Sequence, residues 1–477
     1  MSLLGPTAGL WMLLALVVLT LTTGLPVWML LVGVSSAFSV AGLLVGTIDL
    51  PVLSAVPARL VGLLESDLLQ ALPLYVLVGL LLQRLAIADA LFAVLMRWLA
   101  PLGGGQALGA LALGALVAPM NGSVASSASL LGRLVAPRLG GMNVAHATAL
   151  VSVAATIGVV VPPSLVLIFL GDAMLRAHTE ASNLPGFVLG QARIINTQDV
   201  FHAALLPAMA LLVLWGVVAS WQNKGSNRAA PSVPRGQTLP ACCAIAGILG
   251  LLVGVYTGQL FAVEAAAAAA MVLLVLAAVD RTLSAGHWKQ LLVDTLALSG
   301  ALMALLIGAT VLSLVFRLFG TDRWIAALIQ TSTLSPAVTA ALVLIAVALC
   351  AWVLDAFEMI FVVIPIVAPT LIALLGDAQQ VAVLLLMVLQ LSFLVPPMGY
   401  AVLMARASAT QPVRFAPLAR AIAPFVVVQL LVLAGVFLLP QTVHQLDAKT
   451  LPVVVGSEQD IEQQMKEMSA TPQEPKP

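Results

Sequence analysis

Charge is scarce in this chain: 8% of its 477 residues are Asp, Glu, Lys or Arg, where a soluble domain carries about 25%. That scarcity, with 61% apolar residues and a mean hydropathy of +1.12, excludes an ordinary soluble enzyme. It equally excludes a disordered chain, which combines low hydrophobicity with high charge. Basic surplus is also missing. Twenty Lys and Arg balance twenty Asp and Glu, so the electrostatic footprint of a nucleic-acid partner is absent. The three cysteines, Cys242, Cys243 and Cys350, lie in apolar runs with no His or Cys at ligand spacing. A disulfide framework or zinc site is thereby excluded, and they read as small buried hydrophobes. Five histidines and no His-Glu-x-x-His motif argue against an electron-transfer subunit and an intramembrane hydrolase. The first basic residue is Arg59, so the charged start of a secretory signal is missing and the apolar N-terminus reads as a first span.

What the chain has instead is long uncharged runs, among them 1–48, 99–132, 139–171, 324–354 and 378–405. At about 20 residues per span, about 10 to 13 membrane segments follow. Strand-type alternation is absent, so the segments are helices. The run 1–48 holds two, broken near Gly24-Leu25-Pro26. The short stretch 87–98 is amphipathic and suits the membrane surface. Residues 224–238 carry Lys224, Arg228 and Arg235 without an acid, which places them in the cytoplasm. Residues 178–199 then lie outside. Arg406, Arg414 and Arg420 mark another cytoplasmic end, and 447–477 is a polar tail expected to be disordered.

Val161-Pro162-Pro163 recurs as Val395-Pro396-Pro397, close to half the chain further on. A proline pair inside a helix removes two amide donors and clashes with the preceding turn, yet a proline suits the first turn of a new helix. Each block therefore reads as two half-helices meeting at a break. Upstream lie two further interruptions, Pro119-Met120-Asn121-Gly122-Ser123 with Ser126, Ser127 and Ser129, and Leu354-Asp355-Ala356-Phe357-Glu358. The interval from Asn121 to Pro162 equals that from Asp355 to Pro396. The runs containing them suit re-entrant hairpins. Paired breaks in two halves point to a secondary-transporter site, in which half-helix N-termini attract anions while unwound carbonyls hold a cation.

The residues that carry these breaks resemble the large permease subunit of the tripartite ATP-independent periplasmic (TRAP) transporters, over roughly residues 10–442. The similar stretches are ATIGVVVPPSLVLIFLGD at 155–172, LDAFEMIFVVIPIVAP at 354–369, LQLSFLVPPMGYAVLMARASA at 389–409 and GLPVWMLLVGV at 24–34. Glu358 and the Leu-Gln-x-Ser-Phe-Leu run resemble the mannitol/chloroaromatic branch, associated with 2-oxo acids and lactate.

The resemblance implies an all-α, elevator-type secondary transporter of the bacterial inner membrane, with two inverted repeats, two re-entrant hairpins and two discontinuous helices. It implies scaffold helices in 1–100, a first transport repeat in 101–176, loops and scaffold in 177–330, a second transport repeat in 331–410 and a final scaffold helix in 411–446. The partners implied are a small four-helix membrane subunit, here on a separate chain or missing, and a periplasmic binding protein that delivers a small organic acid. Sodium is the implied coupling ion, with no resident cofactor and no catalytic residue. By position, the first hairpin tip corresponds to Asn121, Gly122, Ser123 and Ser127, and the first break to Thr156, Gly158, Pro162 and Pro163. The second tip corresponds to Asp355, and the second break to Gln390, Ser392, Pro396, Pro397 and Gly399. Asn121 stands where the family often has Ser or Thr, Val388 where it often has Asn, and Val395 where it often has Thr. A self-sufficient cation:carboxylate symporter or ion antiporter is the alternative.

Single ionisable residues carry two readings each. Asp355 is either a functional acid or a helix cap, and Glu358 a first-turn acid favoured by the helix dipole. Asp172 is expected to end a half-helix at the outer surface, and His146 to sit at a solvated segment end, with a pH-sensitive group as its other reading. Arg133 and Arg138 read as interface anchors, Arg133 also as a carboxylate contact. Glu264 precedes a run of six alanines, which suits close helix packing.

Overall fold

The computed structural model describes residues 5–65, 67–85, 87–102, 104–121, 123–139, 141–162, 164–182, 195–223, 238–279, 283–331, 333–351, 354–395, 399–409 and 411–446. Expectations that rest on Gly122, Pro163, Pro396 and Pro397, on 183–194 and 224–237, and on the tail 447–477 lie outside the described residues.

Every element among the described residues is helical. The first half runs through α1 (Ala8–Thr23), α2 (Val27–Val45), α3 (Leu50–Leu53), α4 (Ala55–Leu64), α5 (Asp67–Arg84), α6 (Ile87–Leu99), α7 (Gly105–Val117), α8 (Val124–Leu134), α9 (Val144–Val160), α10 (Leu165–Ala181) and α11 (Thr197–Gln222). The second runs through α12 (Thr238–Tyr256), α13 (Ala262–Val279), α14 (Ala285–Leu318), α15 (Thr321–Gln330), α16 (Pro336–Cys350), α17 (Ala356–Glu358), a π turn (Met359–Val363), α18 (Ile364–Leu375), α19 (Ala378–Leu394), α20 (Tyr400–Ala407), α21 (Phe415–Leu438) and α22 (Gln441–His444). Among the described residues seven helices are long and apolar enough to cross a membrane singly, and up to nine spans result if each bent pair counts as one.

The break between α1 and α2 falls where Gly24 and Pro26 place it. Gly24 takes φ 64, a left-handed cap that favours glycine, and Pro26 precedes the first residue of α2. Inside the spans, Ser and Thr hydroxyls donate to carbonyls four residues back, as Ser35, Ser39, Ser152 and Thr295 do. That satisfies polar side chains where no water is at hand. Large apolar side chains are exposed on the outer helices, Leu44 at 83%, Leu239 at 74% and Leu296 at 73%. Such surface belongs against lipid. Cys243 and Cys350 share it, so the expected burial of the cysteines fails: Cys242 is half-buried and the other two are exposed.

The displacement that takes Pro162 to Pro396 carries most of the first set of helices, up to α10, onto the second. It maps α1 and α2 onto α12 and α13, α4 with α5 onto α14, α6 onto α15, α7 onto α16, α8 onto the π turn and its flanks, α9 onto α19 and α10 onto α20. For α9 and α19 the match is residue for residue, at 17 residues each. Each starts on a side-chain cap at the equivalent position: Asn143 accepts from the Ala145 N–H, and Asp377 from the Gln380 N–H. Each ends on an extended valine, Val161 at φ −81 and ψ 116, Val395 at φ −78 and ψ 113.

Packing repeats with the halves exchanged. α2 packs along α14, and its counterpart α13 packs along α5. α10 lies on α18, and its counterpart α20 on α8. Contacts that swap partners in this way are those of a two-fold axis between the copies. α9 and α19 lie at the centre, buried along nearly their whole length. α21 packs along both of them.

Candidate functional site

The first hairpin tip lies against the first break, and the two broken helices α9 and α19 pack on each other. α9 and α10 bend by 41° across the break between Val160 and Leu165. Ser164, almost fully buried, caps α10 by accepting from the Leu167 N–H at 3.2 Å. At the second break the Gly399 N–H donates to the Val395 carbonyl at 3.0 Å, and α20 begins at once. A Cβ on Gly399 would meet the Phe393 carbonyl oxygen at 2.7 Å and that of Val395 at 3.0 Å. Only glycine lets the new helix start so close to the end of the old one. Asp172 lies within α10, which runs on to Ala181, so the expected end of a half-helix there is not observed; Asp172 pairs with Arg176 at 3.1 Å.

The first hairpin turns through Pro119–Asn121, and Ser123 takes an extended N-cap conformation before α8. Its tip rests on α9 at Gly158, where a Cβ would lie 2.4 Å from the Ala118 carbonyl carbon and 2.6 Å from its oxygen. Ala118, Ser123, Ser127, Gly158 and Ser164 line a cavity of about 10 Å³. That is the room of a single water or small ion. The hydroxyls of Ser123, Ser127 and Ser164 are hard-oxygen donors of the type that suits a hard cation. Ser126 instead receives the side-chain amide of Gln83, on α5.

At the position equivalent to Gly158 in the second copy stands Ser392. Its hydroxyl contacts the carbonyls of Val388 at 2.9 Å and of Ala348 at 3.1 Å. Ala348 belongs to α16, one turn before the position equivalent to Ala118, so each broken helix touches the first arm of its own hairpin from the same helix position but at a different turn of the arm. Asp355 takes an extended N-cap conformation at the second tip, and its N–H donates to Glu358 Oε2 at 3.0 Å. Glu358 thus works as a reciprocal cap. Asp355 Oδ1 is buried and has no hydrogen-bond partner among the described residues. The π turn follows, and Phe357 and Phe361 close around Phe169 of α10, with the 169–361 ring centres 5.2 Å apart.

A buried amide chain joins the two broken helices. Gln429 of α21 donates to Gln390 Oε1 at 2.8 Å, and Gln390 donates to the Thr156 carbonyl at 3.3 Å. Thr156 and Gln390 are equivalent positions of the two copies. The Thr156 hydroxyl turns back to Val153 at 2.9 Å, so its carbonyl, not its hydroxyl, makes the link between copies. Gln429 was outside the sequence expectations, because α21 reads as a uniformly apolar span when only charges are counted.

Among the other singled-out residues, Arg133 is exposed and, among the described residues, reaches only Gln83, at 3.4 Å. Arg138 pairs with Asp89 and lies over the Phe92 ring. Glu264 accepts from the Phe261 N–H, and the alanine-rich α13 packs along α5. His146 is half-buried in the first turn of α9. Among the described residues no three His, Cys, Asp or Glu side chains are grouped to hold a metal.

Residues 13–442 match the family described as "Tripartite ATP-independent periplasmic transporter, DctM component". No curated protein matches the chain significantly. In fold, the chain is similar to the crystal structure of the Alcanivorax borkumensis YdaH transporter, which is reported to have an unusual topology. The TM-score is 0.56 at 14% identity, covering 81% of this chain and 87% of that one.

Proposed function

The chain belongs to the DctM family, the large membrane subunits of tripartite ATP-independent periplasmic secondary transporters, and from that premise we propose that it imports a small organic acid by an elevator movement coupled to sodium. The family works with a small membrane subunit and a periplasmic binding protein, and the chain is a multi-pass membrane protein. In the proposed cycle the binding protein delivers the acid to the outer face. The unit built from α7–α10 and α16–α20 then carries it past α2, α5, α13 and α14.

The observation that carries this reading is the small cavity between the first hairpin tip and the first break, which Ser123, Ser127 and Ser164 help to line. A cation held there by Ser123, Ser127, Ser164 and neighbouring carbonyls would tie the tip to the break. Asp355 supports a second cation position, since a buried, unpartnered carboxylate oxygen is expensive unless a proton or cation meets it. The packing supports the division into moving and fixed parts. α5 touches the first tip and α14 the π turn of the second, so equivalent helices face equivalent tips. One charge crossing the full potential supplies about 2.3 kcal/mol per 100 mV, enough for roughly fiftyfold accumulation.

The test is uptake into proteoliposomes that hold both membrane subunits, with the binding protein outside and a labelled 2-oxo acid. Uptake should require the binding protein and an inward sodium gradient. Uptake without the binding protein would favour the self-sufficient symporter, and uptake driven only by ATP would overturn the proposal.

A further inference from the structure

A cavity of about 540 Å³ lies between α4, α5, α10, α14 and the π turn with α18. Its wall carries Arg59 from α4, Asp172, Arg176 and Glu180 from α10, and Arg317 from α14. Two of the guanidiniums are engaged: Arg176 pairs with Asp172, and Arg317 with Glu180. Arg59 makes no hydrogen bond or ion pair among the described residues, although it lies in electrostatic range of Arg317, Arg176 and Glu180. The lining itself carries three guanidiniums against two carboxylates, with Asp322 in electrostatic range of Glu180 behind it.

The pseudo-symmetry of the fold does not account for this charge. The positions equivalent to Arg59, Arg176 and Arg317 in the other copy hold Val293, Thr410 and Gln83. Toward the opposite face, the cavity of about 220 Å³ between α8, α9 and α20 has no charged residue in its lining. The positions equivalent to Asp172 and Glu180 hold Arg406 and Arg414, so the second copy carries basic groups of its own at other positions. Under the orientation read from residues 224–238, the mouth with Arg59 is periplasmic.

We propose that this cavity is a vestibule that receives the carboxylate of a small organic acid, with Arg59 as the binding group. A guanidinium presents a planar fork that matches a carboxylate with two hydrogen bonds. The volume lies in the range of small-molecule pockets, and Phe169 and Phe361 supply an apolar wall for the rest of the acid. Glu180, on α10, holds Arg317, on α14, beside the site without neutralising Arg59. The inference rests on the reading that the cargo is an organic acid.

Its test does not depend on transport. With Cys242, Cys243 and Cys350 changed to alanine, Ser313→Cys puts a thiol in the vestibule wall. Its rate with an anionic methanethiosulfonate, relative to a cationic one of similar size, is normalised to a free thiol. The anionic reagent should be favoured roughly fivefold or more. Arg59→Gln should abolish most of that preference. Pyruvate should slow labelling in the parent and fail to do so in Arg59→Gln, while Arg59→Lys retains the charge preference and weakens protection. Equal rates for the two reagents, a preference indifferent to Arg59→Gln, or no protection by pyruvate would overturn the proposal. Failure of sodium-driven uptake with this labelling pattern intact would count against the transport reading and not against the vestibule.

Discussion

The two copies solve the same problem with different chemistry. In the first, α9 meets its hairpin through an absent side chain, Gly158 against the Ala118 carbonyl. In the second, α19 meets its hairpin through a hydroxyl, Ser392 to the Ala348 carbonyl. The first tip is neutral, with Ser123 at its cap, whereas the second is acidic, with Asp355. The first break leaves a small cavity, while at the second Gly399 starts a helix against two carbonyls. What repeats is backbone placement: caps at Asn143 and Asp377, extended valines at 161 and 395. Residue type is free to differ, and that freedom lets one fold offer two unlike sites.

The sharpest way to break this comparison is to exchange the contacts. Gly158→Val drives a branched side chain into backbone that has no room to move, and overpacking of this kind costs about 1–3 kcal/mol or more. Uptake should be lost and the melting temperature should fall. Ser392→Ala removes only a hydroxyl, worth about 0.5–1.5 kcal/mol, and should leave a folded protein with reduced uptake. Equal tolerance at both positions would show that the two contacts are not counterparts. Gln390→Leu tests the chain that links the copies, since it leaves Gln429 short of a buried partner at about 1–3 kcal/mol. Thermal denaturation should show that loss, whereas Thr156→Val should show less, because the Thr156 carbonyl remains. Asp355→Asn should cut uptake more than expression, measured side by side in the same membranes. The smallest effect is expected at Arg133, whose exposed side chain reaches only Gln83 among the described residues. Arg133→Ala should stay within about 0.5 kcal/mol, and a large loss of uptake there would revive its role as a carboxylate contact.

Much of the architecture was legible in the sequence because proline, glycine and charge act locally. The break at Gly24 to Pro26, the paired Val-Pro-Pro interruptions and the uncharged runs all follow from single-residue physics. The extent of the repeat was not legible, since the copies share few identities and what they share is dihedral geometry. The displacement between copies showed only at the proline pairs and the interruptions upstream of them, whereas the structure extends it from α1 through α20. Gln429 was missed because a lone amide in an apolar helix signals nothing until its partners are known. Arg59, Glu180 and Arg317 come from distant parts of the chain, and only the packing of α4, α10 and α14 brings them to one cavity. The cysteines were misplaced because an apolar run in a membrane protein can face lipid as readily as protein.

The claim that the first tip and first break hold a coupling cation is tested most directly by thermal unfolding of the purified chain against sodium, with choline at equal ionic strength as the control. A ligand that binds only the folded state raises stability by RT ln(1 + [L]/Kd), about 2.7 kcal/mol at a hundredfold excess over Kd. The melting temperature should rise with sodium and not with choline, and Ser123→Ala should move the midpoint to higher sodium. Superimposable melting curves in sodium and choline would contradict the account.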